Sequence, residues 1–133
     1  MVGHYLLFSG NCEEALKTYE KAFDTKVIVI QRYRDMPSSP DFPIPESDLN
    51  LVLHSRLVIE GDEIMCADSR EVPTSGNNMY ISITSGDAEK VKKAWEVLKV
   101  GGEINMELAP SFFAKLHGNL QDRYGINWMF TAE

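Results

Sequence analysis

Two stretches of this chain carry the same plan 76 residues apart, and that repeat restricts what it can fold into. Gly10-Asn11-Cys12-Glu13 superposes on Gly86-Asp87-Ala88-Glu89, which brings Ala15 onto Val91, Tyr19 onto Trp95 and Ala22 onto Leu98. Apolar positions at three- and four-residue spacing after a capping residue specify an amphipathic helix, with Asn11 or Asp87 as the cap and Glu14 completing an Asn-x-x-Glu box. A strand-like run precedes each helix, residues 2–9 and 79–84. A β-rich run follows each, residues 26–33 and 103–108. Each half then ends in two more strands: residues 50–59 and 63–67 around Gly61, and residues 116–121 and 127–131 around Gly125. The expectation is an α+β fold of two βαβββ modules forming a curved mixed sheet around a cavity. A single domain over 1–133 would hold module 1 at about 1–70 and module 2 at about 78–133.

One segment breaks the plan. Pro37, Pro40, Pro43 and Pro45 fall between residues 34 and 48, and proline neither donates to a ladder nor continues a helix, so this stretch is expected as an exposed loop. It reads equally as a cover over a site or as a mobile connection.

Charge and cysteine content narrow the function. Lys and Arg number 13 against 20 Asp and Glu, a net charge of -7, which opposes binding to nucleic acid. No apolar run is long enough to span a membrane, and no secretory leader is visible. Cys12 and Cys66 fit neither zinc-ligand spacing nor a disulfide framework. A cytoplasmic protein is expected, with no nucleic-acid or membrane partner.

The residues themselves resemble a known family. Tyr5-Leu6-Leu7-Phe8-Ser9-Gly10-Asn11-Cys12-Glu13-Glu14-Ala15-Leu16, the run His54-Ser55-Arg56-Leu57-Val58-Ile59 with Ile64, Met65 and Asp68, and Gly118-Asn119-Leu120-Gln121-Asp122-Arg123-Tyr124-Gly125-Ile126-Asn127-Trp128 are similar to the PhnB-like family of the vicinal oxygen chelate superfamily. The last run matches its Gly-x-x-x-Asp-x-Phe/Tyr-Gly-x-x-Trp pattern. The resemblance implies paired βαβββ modules, a homodimer and a small-molecule site; it does not imply a reaction, and whether the chain is an enzyme stays open. Relatives are sometimes labelled 3-demethylubiquinone methyltransferases, yet no Gly-rich strand-turn-helix for a nucleotide-containing methyl donor occurs here.

In metal-dependent relatives the ligands are His, Gln or Glu on the first and last strands of each module. This chain offers His4, Met65, Asp68, Tyr80, Ser82, Asn127, Trp128 and Met129 there, too few donors for a catalytic ion. No cofactor is therefore expected; a divalent metal on His4 and His54 is the alternative. His54, in an otherwise apolar strand, is the candidate catalytic residue and equally a ligand contact or a hydrogen-bonded core histidine. Asp68, Phe112, Phe113 and Trp128 are the further ligand-binding candidates. Each also has a plain structural reading: a turn-forming Asp and core aromatics. His117 reads as part of an exposed turn, and Cys12 at a helix start as a weak nucleophile candidate. Three functions remain open: small-molecule binding in an apolar cavity without metal, a metal-dependent lyase, isomerase or dioxygenase, and sequestration of a drug or toxic metabolite.

Overall fold

In the computed structural model, which describes residues 1–37 and 39–133, both modules are present with the same strand order. The first contains β1 (His4–Phe8), α1 (Cys12–Phe23), β2 (Val27–Arg32), β3 (Val52–Ile59) and β4 (Asp62–Asp68). The second contains β5 (Ile81–Ser85), α2 (Ala88–Leu98), β6 (Glu103–Ala109), β7 (Leu116–Gln121) and β8 (Asn127–Ala132). The strands form two four-stranded mixed sheets, ordered β1-β4-β3-β2 and β5-β8-β7-β6. In each, the outer strand before the helix pairs parallel with the last strand of its module, and the remaining pairs are antiparallel.

The chain separates into two compact units whose boundary cuts α1: residues 1–16 and 25–73 form one, residues 17–24 and 74–133 the other. The division falls between residues 73 and 74, apart from the second half of α1, which belongs to the second unit. Tyr19 and Phe23 explain that assignment, because their rings pack on Trp128 at 5.2 and 5.3 Å.

In the first unit, one face of the sheet is packed shut. Phe8, Ile64, Cys66, Val52, Leu57 and Ile59 are all at most 2% exposed, as are Cys12, Ala15 and Leu16 of α1. The start of α1 is held from outside the helix. Asp68 at the end of β4 accepts from Gly10 N at 3.0 Å and Cys12 N at 2.9 Å through Oδ1. Its Oδ2 accepts from Val52 N at 2.9 Å. One buried carboxylate thereby ties the β1–α1 turn, the helix N-terminus and the start of β3 together. α2 follows the sequence expectation: Asp87 accepts from Glu89 N and Lys90 N.

The segment at 34–48 is a loop between two short 3-10 turns, Tyr33–Asp35 and Glu46–Asp48; Ser38 within it lies outside the described residues. It is tied at its base by Tyr33 N to Leu51 O, Arg34 N to Leu49 O, and the Tyr33 hydroxyl to Asp68 O.

This packing makes Asp68 and the buried thiols measurable. Removing the carboxylate in Asp68→Ala leaves three backbone N–H groups without their acceptor, at a cost of about 3 kcal/mol measurable by urea unfolding. As for the thiols, burial, the neighbouring Asp68 charge and Glu13 push Cys12 up to about 12, outweighing a lowering hydrogen bond from Ser55; burial and Cys12 push Cys66 up as well. A raised folded value means the native thiols stay protonated while those of the unfolded chain ionise. Stability is therefore complete below the ordinary thiol value near 9 and falls as pH rises from there toward 12. Unfolding midpoints recorded between pH 8 and 11 should decline, and the decline should shrink in Cys12→Ala.

Candidate functional site

Strand alternation leaves the other face of the first sheet without a covering helix. Register assigns its residues: Leu7 lies beside Ala67, and Tyr5 beside Met65, which pairs in turn with Arg56. On the outer side Gln31 pairs with His54 and Val29 with Arg56. Two rows result, Leu7-Ala67-His54-Gln31 and Tyr5-Met65-Arg56-Val29. The apolar and aromatic run of β1 reads in sequence as a buried strand, but Tyr5 is 51% and Leu7 46% exposed. The run is apolar on both sides, and only one side has a helix over it.

The polar groups of this face are unusual in what they lack. His54 is half-buried and its ring lies 6.1 Å from that of Tyr5, tilted by 30°. Among the described residues, neither imidazole nitrogen, nor the Tyr5 hydroxyl, nor the Gln31 amide has a hydrogen-bond partner. Arg56 meets Glu63 only through Nη1, at 3.4 and 3.5 Å, which leaves Nε and Nη2 unengaged. The Tyr5 phenol is raised above its ordinary value, first by burial and then by Tyr33, Cys12 and Cys66, so it remains a neutral donor at physiological pH.

The other sequence candidates sit elsewhere. Asp68 is on the helix side of the sheet, 4% exposed, with both oxygens accepting backbone N–H groups; it is a structural latch. Trp128 is fully buried in the second unit against Tyr19, Phe23 and Phe130, and its Nε1 donates to Asp122 at 2.9 Å. Both are sequence candidates for lining a site, and both are consumed by packing. Phe112 is fully exposed and Phe113 57% exposed in the β6–β7 loop; Phe113 packs its edge on His117 at 4.9 Å, and His117 Nδ1 lies 3.0 Å from Thr131 Oγ1. His117 is thus a strand residue with a partner, not part of an open turn. Cys12 is buried, and its raised value opposes the thiolate a nucleophile needs.

The Gly118-to-Trp128 pattern also resolves into structure. The Asp122 carboxylate accepts from the Tyr19 hydroxyl at 2.6 Å, Trp128 Nε1, Tyr124 N and Ile126 N. Gly125 makes the turn at φ 89°. A side chain at Gly118 would place its Cβ 2.8 Å from Leu108 Cα, so β6 and β7 approach this closely only over glycine.

The donor set does not fit a metal. His4 pairs with Ile64 on the helix side of the sheet, whereas His54 faces the opposite side, so the two imidazoles cannot share an ion. The open-face positions of the first and last strands of each module hold Tyr5, Leu7, Glu63, Met65, Ala67, Ser82, Thr84, Asn127, Met129 and Thr131, with no imidazole and one carboxylate, Glu63, which meets Arg56. Among the described residues no three His, Cys, Asp or Glu side chains cluster. A second concavity, about 160 Å³, is formed by the 34–48 loop with Tyr33, Met36, Phe42, Ile44 and Leu49. Its Arg34 is already held through Nε and Nη2 by Asn50 Oδ1.

Comparison with known proteins agrees with the fold. A family model described as 3-demethylubiquinone-9 3-methyltransferase matches residues 2–131. The structure of PA1353 from Pseudomonas aeruginosa is 26% identical, covers 100% of this chain and 97% of its own, and superposes with a TM-score of 0.85. The PhnB protein from Bacillus cereus is 28% identical over 99% of this chain and 98% of its own, with a TM-score of 0.77. At 14% identity, the fosfomycin resistance protein FosX from Listeria monocytogenes, solved with Mn(II) and a dihydroxypropylphosphonic acid, shares the fold: 100% of this chain, 92% of its own, TM-score 0.64. With the βαβββ repeat, the Asp122 motif and a family match over almost its whole length, this chain belongs to the PhnB-like family, described as 3-demethylubiquinone-9 3-methyltransferase.

Proposed function

We propose that this protein binds a small organic molecule, without a metal, on the open face of the β1-β4-β3-β2 sheet. The observation that carries the reading is the group of unpartnered polar side chains, Tyr5, Gln31, His54 and part of Arg56, set over apolar Leu7, Val29 and Met65. An apolar floor with a few convergent polar groups is what small-molecule sites are made of. These groups are reached by solvent rather than buried, since no buried side-chain polar atom among the described residues lacks a partner, so a ligand can exchange for water on them. In this reading the His54 imidazole contacts the ligand as a hydrogen-bonding group.

The methyl transfer named in the family description gets no support from the β1–α1 turn. A strand-turn-helix that cradles a nucleoside-containing methyl donor needs backbone N–H groups left free at the turn. Here Gly10 N and Cys12 N already donate to the buried Asp68 carboxylate. The Mn(II) bound by FosX likewise lacks a matching donor set in this chain. We further propose the homodimer that the family resemblance implies, with a light-scattering mass near twice the 15.0 kDa of the chain; a mass of one chain at micromolar concentration overturns it.

A thermal-shift screen of small organic fragments tests the site. Fragments that stabilise the protein should lose their effect in Leu7→Glu, which places a charge on the exposed apolar floor while leaving the packed face intact. Retention of every hit in Leu7→Glu, or a screen without hits, contradicts the proposal. Elemental analysis after incubation with Zn, Mn, Ni and Fe salts should find no stoichiometric metal; about one ion per chain, lost in His54→Ala, would instead support the metal-dependent enzyme.

A further inference from the structure

Resting on the reading of this face as a ligand site, we infer that the molecule it takes carries a carboxylate, received by the Nε–Nη2 edge of Arg56. A guanidinium offers its donors in a planar fork that matches the two oxygens of a carboxylate. Arg32 and Arg34, the other two arginines at the β2 end of the first sheet, each have two guanidinium nitrogens engaged by one partner side chain. Arg32 donates to Glu13 from both Nη1 and Nη2, and Arg34 to Asn50 from Nε and Nη2. Arg56 alone of these three directs only Nη1 at an acid, and at the long distances of 3.4 and 3.5 Å. The side chains of Arg56 and Glu63 are 39% and 42% exposed, so Glu63 neither buries nor saturates the guanidinium.

The position of Arg56 makes that free edge informative. Register sets it between Met65 and Val29 in one row, with His54 two residues away on the same strand and face. Residues i and i+2 of a strand stand roughly 7 Å apart. An acid with its carboxylate on Arg56 therefore has its apolar body over Met65 and Leu7, the Tyr5 ring at its flank and the imidazole within reach of a second polar group. On a chain of net charge -7, a cation with two free donors on an apolar floor is a local exception. It selects an organic acid over a neutral or cationic compound of the same shape.

The test compares phenylacetate with phenylacetamide by ligand-observed NMR titration at low salt. The acid should bind the wild-type protein at least about tenfold more tightly than the amide, as charge-assisted hydrogen bonds require. In Arg56→Gln that preference should vanish because the acid loses far more affinity than the amide, a pattern that a merely structural arginine, which would weaken both alike, would not give. Arg56→Lys, which keeps the charge and loses the fork, should recover only part of it. Equal affinities in the wild type, or a preference that survives Arg56→Gln, overturn the carboxylate. Failure of both probes to bind at millimolar concentration overturns it too. The site itself then stands or falls separately, on whether fragment hits are lost in Leu7→Glu.

Discussion

The first unit depends on one buried carboxylate. Asp68 lies at the end of β4 and holds three backbone N–H groups, from Gly10, Cys12 and Val52, that would otherwise be unpaired in the interior. It fixes where α1 starts relative to the sheet and where β3 begins. Cys12, Ala15 and Leu16 are thereby aligned with the apolar side of β3 and β4. The second unit has its own central carboxylate in Asp122, which gathers Tyr19, Tyr124, Ile126 and Trp128. A charge-bearing acceptor makes stronger hydrogen bonds than a neutral one, so a single side chain can organise several segments.

That arrangement has a functional consequence. The helix side of the first sheet is filled by the apolar core, so the solvent-accessible polar groups without protein partners that carry the proposal stand on the opposite side. Tyr5, Gln31, His54 and Arg56 emerge there over Leu7, Val29 and Met65. The same carboxylate that completes the helix N-terminus withdraws it from phosphate recognition. The fold is shared with a fosfomycin resistance protein solved with Mn(II) and a dihydroxypropylphosphonic acid, so fold alone does not set the chemistry, and the proposal rests on the side chains of one sheet face.

Much of the architecture is legible in the sequence because it is written locally. The repeat spacing, the helix faces and the Asp87 cap depend on neighbours three or four residues away. The Asp68 latch is not, since its donors are 16 to 58 positions distant and nothing local marks a turn aspartate as their acceptor. Trp128 and the Asp122 pattern are visible as a motif, but only packing against Tyr19 shows that the motif holds the second unit together. His54 is recognisable as a polar residue in an apolar strand. Its companions are hidden by an irregularity: between Gln31 and Arg32 the β2–β3 register slips, so Val52 turns to the helix side and His54 to the open side. Simple alternation would have put Val52 and His54 together.

The central claim is that the uncovered face of the first sheet is where a small molecule binds, and the most direct measurement is amide and imidazole chemical-shift mapping by NMR with fragments that stabilise the protein. The account predicts perturbations centred on Tyr5, Leu7, Gln31, His54, Arg56 and Met65, with the His54 imidazole among the largest. Perturbations confined to the 34–48 loop or to the Phe112-Phe113 loop, with the first sheet silent, would contradict it.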